Sequence, residues 1–153
     1  MVRVVATGVF DIIHLGHVHF LEKAKDLGDE LVVIVARDAT ARKMKHEPIT
    51  PEGMRVELVQ SLKPVDRAVL GYEDDMYRII SEVRPDIIAL GYDQKFDEKE
   101  LERELKKRGL TVRIVRLPHL DHDLDGTRKI IRRIVDWNIA QQKLKEAEEA
   151  KKK

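Results

Sequence analysis

The sequence predicts an α/β fold with a single doubly wound, five-stranded parallel sheet, helices on both faces and a Rossmann-like arrangement. Short β-branched and apolar runs alternate with helix-like segments along almost the whole chain, and strands joined by helices are normally parallel. The chain has 153 residues, which suits one compact domain. We therefore expect one sheet and one ligand-binding edge.

The first half of the chain supplies two strands and two helices. Strands are predicted at 2–7 and at 31–36, where apolar residues run almost without interruption, as in buried parallel strands. Between them, apolar residues at intervals of three predict a helix from Leu15 to Leu27, ended by Gly28. The segment 37–50 is polar and shows no period. Pro51 and Glu52 then begin another helix, because proline and an acidic residue suit the first turn.

The second half repeats this alternation and ends in a charged segment. Strands are predicted at 66–70, 86–90 and 111–115, and helices at 75–83 and from Asp97 to Gly109. A last helix begins at 125–127, and its apolar pattern fades beyond Ala140. We therefore predict a domain over residues 1–140 and a charged, helical or disordered tail over 141–153. The apolar last helix, with Trp137, could form the contact face of a homodimer.

Composition excludes several functional classes. The formal net charge is +1, so a globally basic nucleic-acid-binding protein is not expected. The chain has no cysteine, which rules out disulfides, thiolate metal sites and cysteine nucleophiles. No apolar run approaches the roughly 20 residues that cross a bilayer, and the first residues lead directly into a strand. We expect a cytoplasmic protein that does not interact with membranes. Its many Lys and Glu residues are typical of thermophiles.

Two histidines follow the first strand, where a doubly wound sheet places its ligands. His14 and His17 lie on one face of the first helical turn, and Gly16 between them allows a ligand to approach the backbone. A helix N-terminus attracts anions, so the pair predicts a phosphate site that stabilises a transition state. Two alternatives are that the histidines only cap and pack the helix, or that they bind zinc together with His119 and His122.

Two further segments carry candidate phosphate contacts. Lys43, Lys45 and Arg55 follow the second strand and could neutralise a triphosphate, although a solvated loop would have the same composition. Gly126 and Thr127 begin the last helix, where Thr127 could donate to a phosphate oxygen. The alternative there is an ordinary N-cap formed by Asp125 or Thr127.

These motifs resemble the nucleotidyltransferase superfamily that carries an H-x-G-H signature. His14-Leu15-Gly16-His17 matches the signature, and Gly8-Val9-Phe10-Asp11 matches the G-x-F-D that precedes it. The resemblance extends over residues 3–134. The stretch 22–33 is similar to glycerol-3-phosphate cytidylyltransferases, but Asp-Gly-Thr-Arg-Lys-Ile at 125–130 lacks their arginine–threonine pair. Residues 91–94 together with 123–127 look instead like the archaeal FAD synthases.

The resemblance implies an H-x-G-H-type nucleotidyltransferase fold with ATP and FMN as substrates and a divalent cation, expected to be Mg²⁺. It implies that His14 and His17 are catalytic, and that no residue is a dedicated metal ligand. The implied nucleotide-binding residues are Val9, Phe10, His14, Leu15, Gly16, His17, Asp93, Gly126 and Thr127. Two other functions stay open: a CTP-dependent cytidylyltransferase acting on a polyol phosphate such as glycerol 3-phosphate, and a non-catalytic nucleotide-sensing module.

Overall fold

The computed structural model describes residues 1–44, 46–119 and 126–153. The strands are β1 (Arg3–Gly8), β2 (Glu30–Val35), β3 (Arg67–Leu70), β4 (Ile87–Leu90) and β5 (Arg113–Arg116). The helices are α1 (Leu15–Lys25), α2 (Asp38–Lys43), α3 (Glu52–Gln60), α4 (Met76–Val83), α5 (Glu98–Lys107) and α6 (Thr127–Lys151).

The strands form one parallel sheet in the order β3-β2-β1-β4-β5. The central strand β1 pairs on both edges, with Val5 opposite Val32 of β2 and Ile88 of β4. Chain order reverses between β1 and β4, which is where a crevice opens at the carboxyl ends of the strands. The predicted doubly wound α/β fold is confirmed.

Two apolar clusters cover the two faces of the sheet. Side chains along β1 alternate between them, because successive residues of a strand point to opposite faces. Val4 and Ala6 pack with Leu21 of α1 in one cluster. Val5 packs with Ile80 of α4 in the other. The sheet is therefore buried on both sides, which explains the continuous apolar sequence of β2.

Aspartate side chains cap the starts of two later helices, at the residues where the sequence predicts these helices to begin. The Asp97 carboxylate accepts hydrogen bonds from the backbone N–H groups of Lys99 (3.0 Å) and Glu100 (3.3 Å) at the start of α5. The Asp75 carboxylate accepts from the Tyr77 N–H at the start of α4. These two helix starts could be predicted because an N-cap aspartate acts on the backbone of the next few residues in the sequence.

One element departs from the sequence expectations, and the last helix is longer than its apolar pattern. The segment predicted without period contains α2, which has only six residues, too few to display a helical repeat. Helix α6 continues to Lys151, far beyond the fading apolar pattern, and none of its residues is buried. Within the described ranges, no helix is both long and apolar enough to cross a membrane. The division at residue 140 remains a prediction.

Candidate active site

A large open pocket lies at the carboxyl edge of the sheet, around the point where strand order reverses. Its volume is about 920 Å³, at the upper end of the roughly 300–1,000 Å³ typical of small-molecule sites. The segments that follow β1, β2, β3, β4 and β5 all contribute to its lining, as does the start of α6. The sequence expectation that the site gathers at this edge agrees with this geometry.

The two histidines form a stacked pair in the wall of the pocket. His14 is the N-cap residue of α1, and its ring lies 3.7 Å from that of His17, centroid to centroid, at an angle of 27°. The backbone N–H of His14 donates a long hydrogen bond, 3.3 Å, to Nδ1 of His17. Since Nδ1 accepts, the proton of a neutral His17 is on Nε2.

The protonation state of His17 is controlled by its surroundings. Burial, followed by the neighbouring His14, lowers the pKa of His17 to about 3, while the Asp11 carboxylate opposes this shift. The imidazole is therefore neutral near pH 7. A neutral imidazole can donate a hydrogen bond from Nε2–H to a phosphate oxygen without carrying a positive charge and without transferring its proton.

The loop between β1 and α1 has an unusual backbone that the sequence did not reveal. Phe10 and Ile12 have φ angles of 56° and 50°, in the left-handed region that costs roughly 1–2 kcal/mol for a residue with a side chain. This turn lets the Phe10 ring pack against His17, with centroids 5.4 Å apart. A Cβ on Gly8 would lie 2.9 Å from that ring, so glycine is needed there.

Asp11 fastens this loop to the segment that precedes α3. Its buried carboxylate accepts from the N–H of Ile49 (2.7 Å), the N–H of Thr50 (2.9 Å) and the hydroxyl of Thr50 (2.6 Å). Burial acts to raise the pKa of Asp11, but these hydrogen bonds and the nearby His46 outweigh it and hold the pKa below its usual value. From the sequence, Asp11 was identified only as part of the G-x-F-D motif, and this positioning role was not predicted.

Arg55 is placed differently from the sequence expectation. The expected contact with a triphosphate would require an exposed guanidinium, whereas Arg55 has 0% exposure. Its Nη1 donates to the carbonyls of Val9 and Ala36, both at 2.7 Å, and its Nη2 pairs with Asp38 at 2.6 Å. In this structure Arg55 acts instead as a tie between the loops after β1 and β2. The sequence around Arg55 did not predict its burial, because a single arginine in a polar stretch is normally exposed.

Of the two lysines predicted beside Arg55, only Lys43 belongs to the described residues. Lys43 is exposed at the end of α2 and is not in the pocket lining. Lys45 lies outside the described residues. The side chains that this segment brings to the pocket are those of Arg37, Thr40, Met44 and His46. The sequence reasoning did not select any of these four.

The start of α6 reaches the pocket, but the Thr127 hydroxyl has a protein partner. Thr127 Oγ1 donates to the backbone carbonyl of Asp11 at 2.6 Å. Gly126, with extended backbone angles, is the N-cap residue, in place of the Asp125 or Thr127 considered from the sequence. Both Gly126 and Thr127 line the pocket. Asp125 lies outside the described residues.

The loop after β4 carries Asp93 into the pocket lining. Gln94 holds this loop against β1, because its side chain accepts from the Gly91 N–H at 2.7 Å and donates to the Thr7 carbonyl at 3.0 Å. Arg116 of β5 donates to the carbonyls of Gly91 and Gln94, both at 2.9 Å. The loop that positions Asp93 is thus fixed from both neighbouring strands.

The remaining predicted residues divide clearly by position. Val9, Phe10 and Gly16 line the pocket, whereas Leu15 is 52% exposed and does not. The proposed zinc site needed His119 and His122; His119 lines the pocket and His122 lies outside the described residues. Across the described ranges, no group of three or more His, Cys, Asp or Glu residues has the geometry to hold a metal ion.

Comparison with known proteins identifies the family. A family model described as cytidylyltransferase-like matches residues 5–148. The chain belongs to the cytidylyltransferase-like family. Its pocket lies where His14 and His17 reach the carboxyl edge of the sheet.

Proteins similar to this chain include three archaeal proteins named FAD synthase. The protein from Aciduliprofundum boonei is 66% identical, with 89% of this chain and 92% of that protein aligned. The one from Archaeoglobus profundus is 58% identical over 97% and 95% of the two chains. The one from Ferroglobus placidus is 53% identical over 100% and 99%.

Solved structures agree with the fold. A crystal structure from Thermoplasma volcanium, described as a lipopolysaccharide core biosynthesis protein, has a TM-score of 0.78 and is 60% identical. The alignment covers 79% of this chain and 99% of the Thermoplasma volcanium chain. Pantoate-beta-alanine ligase from Francisella tularensis has a TM-score of 0.54 at 16% identity, over 79% and 60% of the chains, and supports the fold alone.

Proposed function

We propose that this protein is an FAD synthase, an ATP:FMN adenylyltransferase that releases pyrophosphate. The observation that carries this conclusion is the identity of 66% to an archaeal FAD synthase over nearly the whole of both chains. The geometry supports the chemistry, because a stacked histidine pair, with His17 neutral, stands at the N-terminus of α1 inside a pocket of about 920 Å³. Such a terminus favours phosphate groups.

The reaction is a direct displacement at phosphorus. An oxygen of the FMN phosphate attacks the α-phosphorus of ATP, one P–O bond forms, and the bond to the β-phosphate oxygen breaks. Pyrophosphate leaves with the electron pair of that bond, and no covalent intermediate with the protein is needed. His14 and His17 lie where they can hydrogen-bond the oxygens that gain charge, with Nε2 of His17 as a donor. Inversion of configuration at phosphorus is expected.

The other predicted contacts take supporting roles in this proposal. Val9, Phe10 and Gly16 line the pocket, and in this proposal their backbone borders the phosphates. Asp93, on the loop held by Gln94 and Arg116, binds the nucleoside part. Gly126 brings the start of α6 to the same region.

A divalent cation, Mg²⁺, enters as part of the nucleotide substrate. The part of the chain that the structure describes has no cluster of three or more ligating side chains, so the donor set fits a cation held mainly by phosphate oxygens. When bound, the cation supplies positive charge that offsets the triphosphate. The histidines, the α1 terminus and the loops position the substrates around it.

The experiment is pyrophosphate release with Mg²⁺, pairing ATP or CTP with FMN or glycerol 3-phosphate. Release only with ATP and FMN, together with a product that co-elutes with FAD, is the expected result. Release with CTP and a polyol phosphate would overturn the substrates and leave the histidine chemistry in place. Nucleotide binding without any turnover would favour a sensing module.

A second copy of the chain is proposed to cover the exposed face of α6. One face of α6 carries residues at alternate intervals of four and three, which is the spacing of the contact seam in a two-stranded coiled coil. These residues are Ile130, Ile134, Trp137, Gln141 and Leu144. Trp137 and Leu144 are 62% and 59% exposed in the single chain. Basic residues at 128–133 and acidic residues at 146–149 would lie beside each other in an antiparallel pair.

A further inference from the structure

Part of the pocket is apolar and lies on the face of the sheet opposite to α1. Buried side chains of the cluster that contains Val5 form its base, and half-buried side chains packed against them form its rim. Apolar groups do not bind phosphate oxygens, so this apolar lobe fits another part of a substrate. The six side chains of the apolar lobe are Ile34, Ile79 and Ile80 at the base and Tyr72, Met76 and Phe96 at the rim.

The rim of the apolar lobe is held in place by contacts within the protein. The Tyr72 hydroxyl donates to the Glu82 carboxylate at 3.0 Å, and the Arg78 guanidinium lies 4.0 Å from the centre of the Tyr72 ring. The backbone carbonyl of Phe96 accepts a hydrogen bond from Nη2 of Arg116 at 3.1 Å. A rim that is already fixed loses little conformational entropy when a ligand enters, which favours binding.

The loop after β4 places two aromatic rings on different walls of the pocket. The Tyr92 ring lies 4.1 Å from that of His119, centroid to centroid, beyond the end of β5. Phe96 instead packs against the apolar cluster to which α4 contributes. The pocket therefore offers two places for a flat ring, one next to Tyr92 and Asp93 and one in the apolar lobe.

The two substrates of the proposed function carry flat rings of different polarity. Adenine has nitrogen donors and acceptors around its edge, whereas one end of the isoalloxazine ring of FMN is a dimethylbenzene without polar atoms. Burying the adenine edge in an apolar lobe would leave those groups without hydrogen bonds, and burying the dimethylbenzene end leaves none unmade. Glycerol 3-phosphate has hydroxyls in place of such a surface, so the apolar lobe also favours a flavin over a polyol phosphate.

We propose that the apolar lobe binds the dimethylbenzene end of the isoalloxazine ring of FMN and so selects a flavin as the acceptor. This inference rests on the proposed function and deepens it, because it names the side chains that distinguish FMN from a polyol phosphate. The adenine ring of ATP then lies at the other wall, next to Tyr92 and Asp93. Met76, the first residue of α4, is the rim residue best suited to a test, because its side chain is only half-buried.

The test is fluorescence titration of FMN and of riboflavin, and calorimetric titration of ATP with Mg²⁺, on the full-length protein and three variants. The variants are Met76→Gln, Met76→Leu and, as a matched control, Met54→Gln. Met54 is an exposed methionine of α3 that does not line the pocket. Riboflavin has the ring of FMN but no phosphate, so its affinity reports on the ring site alone. Circular dichroism and thermal unfolding establish that each variant is folded.

We expect Met76→Gln to weaken FMN and riboflavin binding by the same factor, about fivefold or more, because a polar amide replaces an apolar thioether against the ring. ATP affinity should not change, and the KM for FMN should rise while kcat stays close to that of the wild type. Met76→Leu keeps the apolar contact and should recover most of the flavin affinity. Met54→Gln should match the wild type in every titration.

Three results would overturn the proposal. They are an unchanged flavin affinity in Met76→Gln, a loss confined to FMN, which would indicate an effect on the phosphate, and a loss confined to ATP, which would place adenine in the apolar lobe. Flavin binding is measured without turnover, so it is independent of FAD synthesis. If Met76→Gln weakens both flavins but the wild type forms no FAD, the proposed function fails and the placement of the flavin ring stands.

Discussion

The Thr127 hydroxyl donates a hydrogen bond to the backbone carbonyl of Asp11 over 2.6 Å, joining residues 116 positions apart. This bond links the start of α6 to the strained loop between β1 and α1. The carboxylate of the same Asp11 holds the segment before α3 through Ile49 and Thr50. One residue thus connects three segments around the histidine pair.

Replacing Thr127 by Val should loosen this connection. The change removes the hydroxyl and leaves the Asp11 carbonyl without its donor, which costs roughly 1 kcal/mol of unfolding free energy. We also expect a lower kcat/KM, because the loop that carries His14 is less well held. Urea unfolding and steady-state kinetics measure the two effects. Thr127→Ser keeps the hydroxyl and is the control; equal behaviour of the Val and Ser variants would contradict the role of the bond.

Replacing Arg55 should affect stability more than nucleotide binding. Arg55→Met would leave Asp38 without its buried partner and the carbonyls of Val9, Ala36 and Thr50 without donors. Breaking a buried pair in this way costs on the order of 3–5 kcal/mol. Arg55→Lys keeps the charge and should be destabilised less.

Chemical unfolding of both variants, and the KM for ATP of the folded Arg55→Lys protein, test this prediction. A wild-type stability combined with a strongly raised KM for ATP would instead indicate a direct phosphate contact. The expected pattern is the opposite one, because the guanidinium has no exposed surface.

Removing either histidine of the stacked pair should reduce turnover. Loss of one preorganised donor to a charged transition state lowers kcat by about 10²–10³, so we expect His14→Asn and His17→Asn to fall in this range. Lys23→Gln is a control from the same helix, since Lys23 is exposed and does not line the pocket. Single-turnover FAD formation gives the chemical rate directly, and full activity of both pair variants would refute the assignment.

The low pKa of His17 predicts a pH-dependent stability. Its pKa is about 3 in the folded chain and about 6.5 when unfolded. Between these values the unfolded state binds one more proton, so the unfolding free energy falls as pH decreases from 6.5 toward 3. The slope from one proton is at most about 1.4 kcal/mol per pH unit.

His17→Gln should make the unfolding free energy less steep over that window. Thermal or urea unfolding at several pH values measures the slope, and His19→Gln is the matched control. A slope in His17→Gln equal to that of the wild type would mean that burial does not hold His17 in its neutral form.

Charge introduced on the exposed face of α6 should separate the proposed pair. Trp137→Glu places a carboxylate in the seam, and we expect the mass measured by light scattering to change from that of two chains to that of one. Gln142→Glu, away from the seam, is the control. A wild-type protein with the mass of a single chain would refute the proposed pair.

Local sequence signals determined the fold and part of the site. The buried run of β2, the N-cap aspartates at 75 and 97, and glycine after helical periodicity are each properties of a few neighbouring residues, so they predicted strands and helix ends closely. The H-x-G-H signature placed His14 and His17 at the start of α1 for the same reason. The short helix α2 was missed because six residues carry no period.

The tertiary structure decided the roles that depend on distant partners. Arg55, Asp11 and Thr127 are all polar residues near a phosphate motif, and the sequence could not distinguish a ligand contact from an internal tie. Apart from the Thr50 carbonyl, which lies five residues before Arg55, their partners are 17 to 116 residues away along the chain. The low pKa of His17 comes from burial that the same packing creates. Burial and pairing are properties of the assembled fold, so only the fold could assign these side chains to positioning.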